Sequence, residues 1–167
     1  WNVTCVDTGD ETMTGGRIEK IKKYLGDDEN FCLTYGDGVG DIDLDAVVKF
    51  HSQHGKAITM TSAQPEGRFG ALSIGEGGRV LEFAEKPKGD GSWVNAGYFI
   101  CKQEVFNYIG GGDDVEFEQS PLSSLAKDGE LYTYKHNGFW RPMDTLRDKK
   151  KLNDLCSINL APWVIWV

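Results

Sequence analysis

Three short segments hold the residue types and spacings that could do chemistry. In Leu33-Thr34-Tyr35-Gly36-Asp37-Gly38-Val39 an apolar, strand-like run ends in Gly-Asp-Gly. Ligands of open α/β sheets gather beyond the carboxyl ends of strands, so a carboxylate held there between glycines can reach a metal ion or a phosphate. Asp-Gly is equally ordinary turn chemistry. Asp144, in Gly138-Phe139-Trp140-Arg141-Pro142-Met143-Asp144-Thr145, stands where a second strand-like run meets a helical pattern. It reads either as a helix N-cap or neighbouring turn residue, or as the partner of Asp37 around one divalent cation, because hard oxygen ligands suit Mg²⁺ bridging substrate phosphates. The third segment is Glu85-Lys86-Pro87-Lys88-Gly89-Asp90-Gly91. Pro87 keeps the chain extended beyond Lys86 and the glycines permit close approach, so the lysine could meet a phosphate as a point charge; a solvated charged loop fits the same residues. Gly67-Arg68-Phe69-Gly70 and Asn95-Ala96-Gly97 offer hydrogen bonds to a polyhydroxyl ligand, or form a turn and a bulge.

Other constellations carry less. His51 and His54 share a helical turn without a third ligand nearby, which argues against a metal centre. No Gly-x-Ser-x-Gly supports a serine hydrolase. Cys5, Cys32, Cys101 and Cys156 form no CxxC pair, so neither zinc nor dithiol chemistry is indicated. Three of them lie among strand-like apolar neighbours and are expected to be buried thiols of a reducing compartment, which implies a cytoplasmic protein.

The elements that must position these residues alternate. Strand-like runs fall at residues 3–6, 31–35, 57–63, 69–74, 79–83, 94–101, 131–135 and 139–141. Helical spacing falls at Ile18, Ile21 and Leu25, at Leu44, Val47, Val48 and His51 before Gly55, near residues 103–109, at Leu122, Leu125 and Ala126 before Gly129, and over residues 145–155. Gly75-Glu76-Gly77-Gly78 marks a hairpin, and Gly110-Gly111-Gly112-Asp113-Asp114 a loop. This alternation predicts an α/β fold. At 167 residues, without repeat or linker, the chain is expected to form a single domain over 1–167. The formal charge of −8 argues against a broad grip on nucleic acid or an anionic bilayer, while leaving room for a small anionic substrate. No apolar run approaches the roughly 20 residues of a membrane span.

Together the segments resemble the sugar-phosphate nucleotidylyltransferases, and within them the glucose-1-phosphate cytidylyltransferase branch. The resemblance rests on Trp1-Asn2-Val3-Thr4, Asp7-Thr8-Gly9 with Thr14-Gly15-Gly16-Arg17, Thr34-Tyr35-Gly36-Asp37-Gly38-Val39, Gly67-Arg68-Phe69-Gly70-Ala71-Leu72, the Glu85 to Gly91 block, and Met143-Asp144-Thr145-Leu146-Arg147-Asp148-Lys149. It implies a Rossmann-like mixed sheet flanked by helices, of the nucleotide-diphospho-sugar transferase type. It also implies transfer of a cytidylyl group from CTP to α-D-glucose 1-phosphate, giving CDP-glucose and pyrophosphate for bacterial polysaccharide biosynthesis. By the same resemblance Asp37 and Asp144 are Mg²⁺ ligands and, with Lys86 at the sugar phosphate, the catalytic set. Gly70, Glu85, Asn95 and Gly97 lie near the glucose hydroxyls, and Thr12, Arg17 and Gly36 around the nucleotide. The family's opening strand and Gly-rich triphosphate loop are not among these residues. The chain is therefore expected to be a segment truncated at its N-terminus, inactive alone, from an enzyme that forms homo-oligomers. Its apolar end, Val164-Ile165-Trp166-Val167, is expected to be buried against another subunit or to reflect truncation.

Overall fold

A computed structural model describes residues 1–67 and 69–165, with the backbone but not the side chain of Asp90. Arg68 of the Gly67 to Gly70 motif, and Trp166 and Val167 of the apolar end, lie outside the described residues. The elements run α1 (Thr14–Ile21), β1 (Asn30–Thr34), β2 (Gly38–Gly40), α2 (Leu44–His54), β3 (Ile58–Ala63), β4 (Ala71–Ile74) and β5 (Val80–Ala84). They continue with β6 (Val94–Lys102), α3 (Phe106–Ile109), α4 (Ser120–Lys127), β7 (Leu131–Lys135), β8 (Trp140–Pro142) and α5 (Leu146–Ser157). A mixed four-stranded sheet has the order β1-β6-β3-β7, and two ribbons pair β2 with β8 and β4 with β5. The architecture is the mixed α/β fold expected.

Contacts divide the chain into two compact units, each drawn from three separate stretches. The first comprises Trp1–Leu33, Val47–Met60 and Phe99–Thr133; the second comprises Thr34–Ala46, Thr61–Tyr98 and Tyr134–Val167.

The first unit holds most of the large buried apolar side chains. Val47, Ile58, Phe99, Ile109, Phe117 and Leu125 are all essentially inaccessible, and the Phe99 and Phe117 rings meet edge to face at 5.7 Å. Helix α2 ends where predicted, because Gly55 takes φ +65 and donates its N–H to the His51 carbonyl at 3.0 Å. In the second unit α5 begins with a capping box: the Thr145 hydroxyl accepts from the Asp148 N–H while the Asp148 carboxylate accepts from the Thr145 N–H.

Two expectations are corrected. Residues 3–6 form no strand: their backbone pairs with no sheet, and Val3 is 78% exposed. Cys5 and Cys32 are exposed rather than buried, as is Cys156, and only Cys101 is enclosed. Cys32 falls on the outward phase of β1, whose accessibility alternates with Phe31 and Leu33 half-buried; strand character alone says nothing about which face a side chain takes. Burial pushes the Cys101 thiol far above its usual range, which keeps it protonated and inert.

Candidate functional site

All the proposed metal and sugar-phosphate residues fall in the second unit. The short strand β2 brings the two acidic segments together. It pairs antiparallel with β8 in the register Gly38↔Pro142, Val39↔Arg141 and Gly40↔Trp140. One step beyond the ladder, the Met143 N–H donates to the Asp37 carbonyl oxygen at 2.8 Å. Asp37 and Asp144, exposed at the ends of these strands, are thereby placed on adjoining backbone. Tyr98 and Trp140 brace the ribbon: the Tyr98 hydroxyl donates to the Gly38 carbonyl at 2.7 Å and the Trp140 indole N–H to the Ala96 carbonyl at 2.9 Å. Gly38 lets the backbone come this close, since a Cβ there would lie 3.2 Å from the Ala96 oxygen.

Asn95 and Gly97 build a second cluster on β6. Gly97 takes φ +77 and donates its N–H to Asn95 Oδ1 at 2.8 Å, while its carbonyl accepts from the Tyr35 N–H at 2.9 Å. A side chain at Gly97 would press on the Tyr35 ring. This ties the segment beside Gly36 and Asp37 to β6.

The third cluster gathers Gly70, Glu85 and Lys86. A Cβ on Gly70 would lie 2.6 Å from the Phe83 ring and 3.3 Å from a Glu85 carboxylate oxygen. Lys86 adopts φ +46, a left-handed conformation unusual for a side chain of this size, and its ammonium lies 3.3 Å from the Glu85 carboxylate. Lys86 also lines a cleft of about 1080 Å³ together with Glu66, Trp140, Arg141, Asp148 and Lys151. Asp37, Asp144, Gly70, Glu85, Asn95 and Gly97 are not part of that lining.

The cleft wall contains an ion cluster that the sequence patterns did not single out. Glu66 accepts from Arg141 Nη2 and, at 2.7 Å, from Lys151 Nζ. Arg141 Nη1 donates to Asp148 at 3.2 Å. The bond from Lys151, reinforced by the Arg141 charge, holds the Glu66 carboxyl below the usual carboxylate range. The Thr145 hydroxyl does the same for Asp148, with help from Arg141. No periodic trace could have signalled these partners, which lie 75 and 85 positions from Glu66.

Thr12 and Arg17 belong to the first unit. Thr12 is buried; its hydroxyl donates to the Thr8 carbonyl at 2.6 Å and accepts from Lys20 Nζ at 3.0 Å. Arg17 donates to the Thr8 hydroxyl at 2.6 Å and to the Asp10 carbonyl at 3.1 Å. Both side chains thus pin the loop ahead of α1.

Among the described residues no cluster of three or more His, Cys, Asp and Glu side chains could hold a metal by itself. Two carboxylates on neighbouring strand ends are the donor set of an ion that takes its remaining ligands from phosphate and water, as Mg²⁺ commonly does. Asp37 and Asp144, both exposed and on adjoining backbone, supply two such carboxylates.

With a mixed α/β sheet and such a strand-end acidic pair, the chain belongs to the nucleotidyl transferase family, which it matches over residues 3–147. The glucose-1-phosphate cytidylyltransferases of Salmonella typhi and Salmonella typhimurium are each 52% identical to it over 166 residues, covering 99% of this chain and 64% of theirs. The chain thus spans a little under two thirds of the length of these relatives. The crystal structure of a Bacillus anthracis protein in complex with a sucrose shares the fold at a TM-score of 0.65 and 17% identity, over 95% of this chain and 65% of that one.

Proposed function

We propose that the chain carries the metal- and sugar-phosphate-binding part of an enzyme that joins CTP and α-D-glucose 1-phosphate into CDP-glucose and pyrophosphate. The observation that carries this reading is the hydrogen bond from Met143 to the Asp37 carbonyl, which draws two acidic segments far apart in sequence onto adjoining backbone. The 52% identity to glucose-1-phosphate cytidylyltransferases supports the choice of base and sugar.

Asp37 and Asp144 would hold Mg²⁺. When bound, that ion supplies neutralisation of phosphate charge and alignment of the reacting groups. Lys86 meets the phosphate of glucose 1-phosphate; Gly70, Glu85, Asn95 and Gly97 face the glucose hydroxyls, and Thr12, Arg17 and Gly36 serve the nucleotide. A phosphate oxygen of the sugar phosphate attacks the α-phosphorus of CTP in line, the bond to the β-phosphate oxygen breaks, and pyrophosphate leaves. The chemistry calls for positioning and charge compensation rather than a protein nucleophile. Such a reaction belongs where CTP is made, in the cytoplasm. The apolar side chains exposed on the β4–β5 ribbon, among them Leu72, Ile74 and Phe83, support a homo-oligomer.

Phosphorus NMR titration of glucose 1-phosphate and CTP, with and without Mg²⁺, tests the reading beside an assay of pyrophosphate release. Mg²⁺-dependent binding is expected, with CTP preferred over the other nucleoside triphosphates. Lys86→Ala should weaken glucose 1-phosphate binding by about 10- to 100-fold, the range for losing a charge-assisted contact of roughly 1.5–3 kcal/mol, and leave CTP binding unchanged. Preference for another base or sugar would point to a different sugar-1-phosphate nucleotidylyltransferase. Binding without turnover would make this chain a sugar-phosphate-binding module, and absence of binding would overturn the reading.

A further inference from the structure

We propose that Glu66 is a positioning residue that, clasped by Arg141 and Lys151, holds the Lys86 backbone in its strained conformation at the wall of the cleft. The inference rests on the sugar-phosphate role given to Lys86 above, and it concerns what keeps that lysine in place.

The residues on either side of Lys86 are zipped to residues 64–67. A Cβ on Gly67 would overlap the Pro87 carbonyl oxygen and lie 2.6 Å from the Lys86 carbonyl carbon, so these backbones are in direct contact. Gly89, buried and at φ +60, donates its N–H to the Pro65 carbonyl at 2.6 Å and packs on Gln64. Whatever fixes residues 64–67 therefore fixes the Lys86 turn. Residues 64–67 lie in neither a helix nor a strand, and Gly89 lies in a short 3₁₀ turn over Lys88–Gly91, so no strand ladder supplies the anchor. Glu66 does. Its carboxylate is the one ionised group of residues 64–67, and it receives Arg141 from β8 and Lys151 from α5. Arg141 is itself held: its side chain is only 15% exposed and its other terminal nitrogen is bonded to Asp148, inside the capping box of α5.

An isolated surface ion pair contributes little, because two long side chains must be ordered in a screening solvent. Here the ordering of Arg141 is already provided by Asp148, and two cations converge on one carboxylate. A left-handed lysine is costly unless its surroundings over-determine it. The clasp and the Gly67 contact are what over-determine it here. A second consequence is electrostatic. Glu66 offsets two of the cations in the cleft wall, so that Lys86 meets an incoming phosphate with less competition from Arg141 and Lys151.

Glu66→Gln keeps the shape of the side chain and removes its charge. Two measurements on the same variant test the clasp. Amide exchange at Gly89 should speed up by about tenfold as residues 64–67 loosen from the Lys86 turn, while exchange in the β3 and β6 cores stays unchanged. The dissociation constant for glucose 1-phosphate should rise by about fivefold, and this rise should vanish when Glu66→Gln is added to Lys86→Ala, because the two changes act through one ammonium. Lys151→Met should produce both effects in weaker form. Unchanged Gly89 exchange overturns the proposal, as does an affinity loss that persists in the Lys86→Ala background. If the unsubstituted chain binds no glucose 1-phosphate, the functional reading fails and the positioning role fails with it; Gly89 exchange still reports whether Glu66 fastens the loop.

Discussion

Gly67 shows how a residue without chemistry of its own can decide where a charge is held. Any side chain there must displace the backbone of Lys86 and Pro87, which cannot swing aside as a flexible side chain would. Gly67→Ala is therefore expected to cost about 1–3 kcal/mol of stability, the usual penalty for overpacking. Thermal unfolding checks the stability, and titration should show glucose 1-phosphate affinity falling with it. At this scale the sequence was informative where glycine and acid stood together and silent where ions met at long range. The placement of Asp37 between its glycines and of Asp144 ahead of the α5 cap, each beside a strand end, was readable from local pattern. Glu66 was not, because its partners lie on β8 and α5 and an ion pair leaves no periodicity. Cys32 misled because strand character was read without the phase of its alternation.

Among the elements, the shortest matter most to the site. Strand β2 is three residues with glycine at both ends and escaped the periodicity reading altogether. It has no apolar run to recognise, and only its pairing with β8 makes it a strand. The longer patterns were legible: the glycine-rich hairpin, α2 stopped by Gly55, and α5 all stand where the spacing put them. Helix α5 presents Asp148 and Lys151 to the cleft, so its first turn should be sensitive. Thr145→Ala removes the cap hydroxyl that accepts from the Asp148 N–H and should lower stability by about 1 kcal/mol, read as a fall in denaturant midpoint. The β4–β5 ribbon makes a different prediction. Leu72 and Phe83 stand directly opposite one another and are 53% and 60% exposed. Cross-strand partners share a face, so the pair forms an apolar surface. Phe83→Ser is expected to shift the chain toward monomer in sedimentation velocity; an unchanged distribution would assign self-association to another surface.

At the scale of the whole molecule, a buried histidine ties stability to pH. His51 Nε2 lies 3.0 Å from Asn30 Oδ1 and Nδ1 lies 2.8 Å from the Thr59 hydroxyl, which is itself 2.6 Å from His54 Nε2. The chain of bonds is complete when His51 is neutral, donating to Asn30 and accepting from Thr59. Burial, followed by the nearby His54, lowers its pKa from 6.5 to about 4. The unfolded chain therefore takes up a proton that the folded chain refuses, and stability present above pH 6.5 is lost as the pH falls toward 4. The melting temperature should decline across that interval, and His51→Gln should flatten this part of the slope even if it lowers the plateau. The interleaving of the two units bears on the molecule before it is finished. The second unit takes its stretches from residues 34–46, 61–98 and 134–167, and the acidic segments of the site come from the first and last of these. At ribosomal rates of roughly 5–20 residues per second, the interval between making Asp37 and making Asp144 is on the order of 5–20 s. For that time the nascent chain carries one carboxylate without the other and β2 without β8. The site is therefore a late product of biosynthesis, and a ribosome stalled before β8 leaves a polypeptide whose unpaired strand and unfinished second unit invite chaperones or proteases.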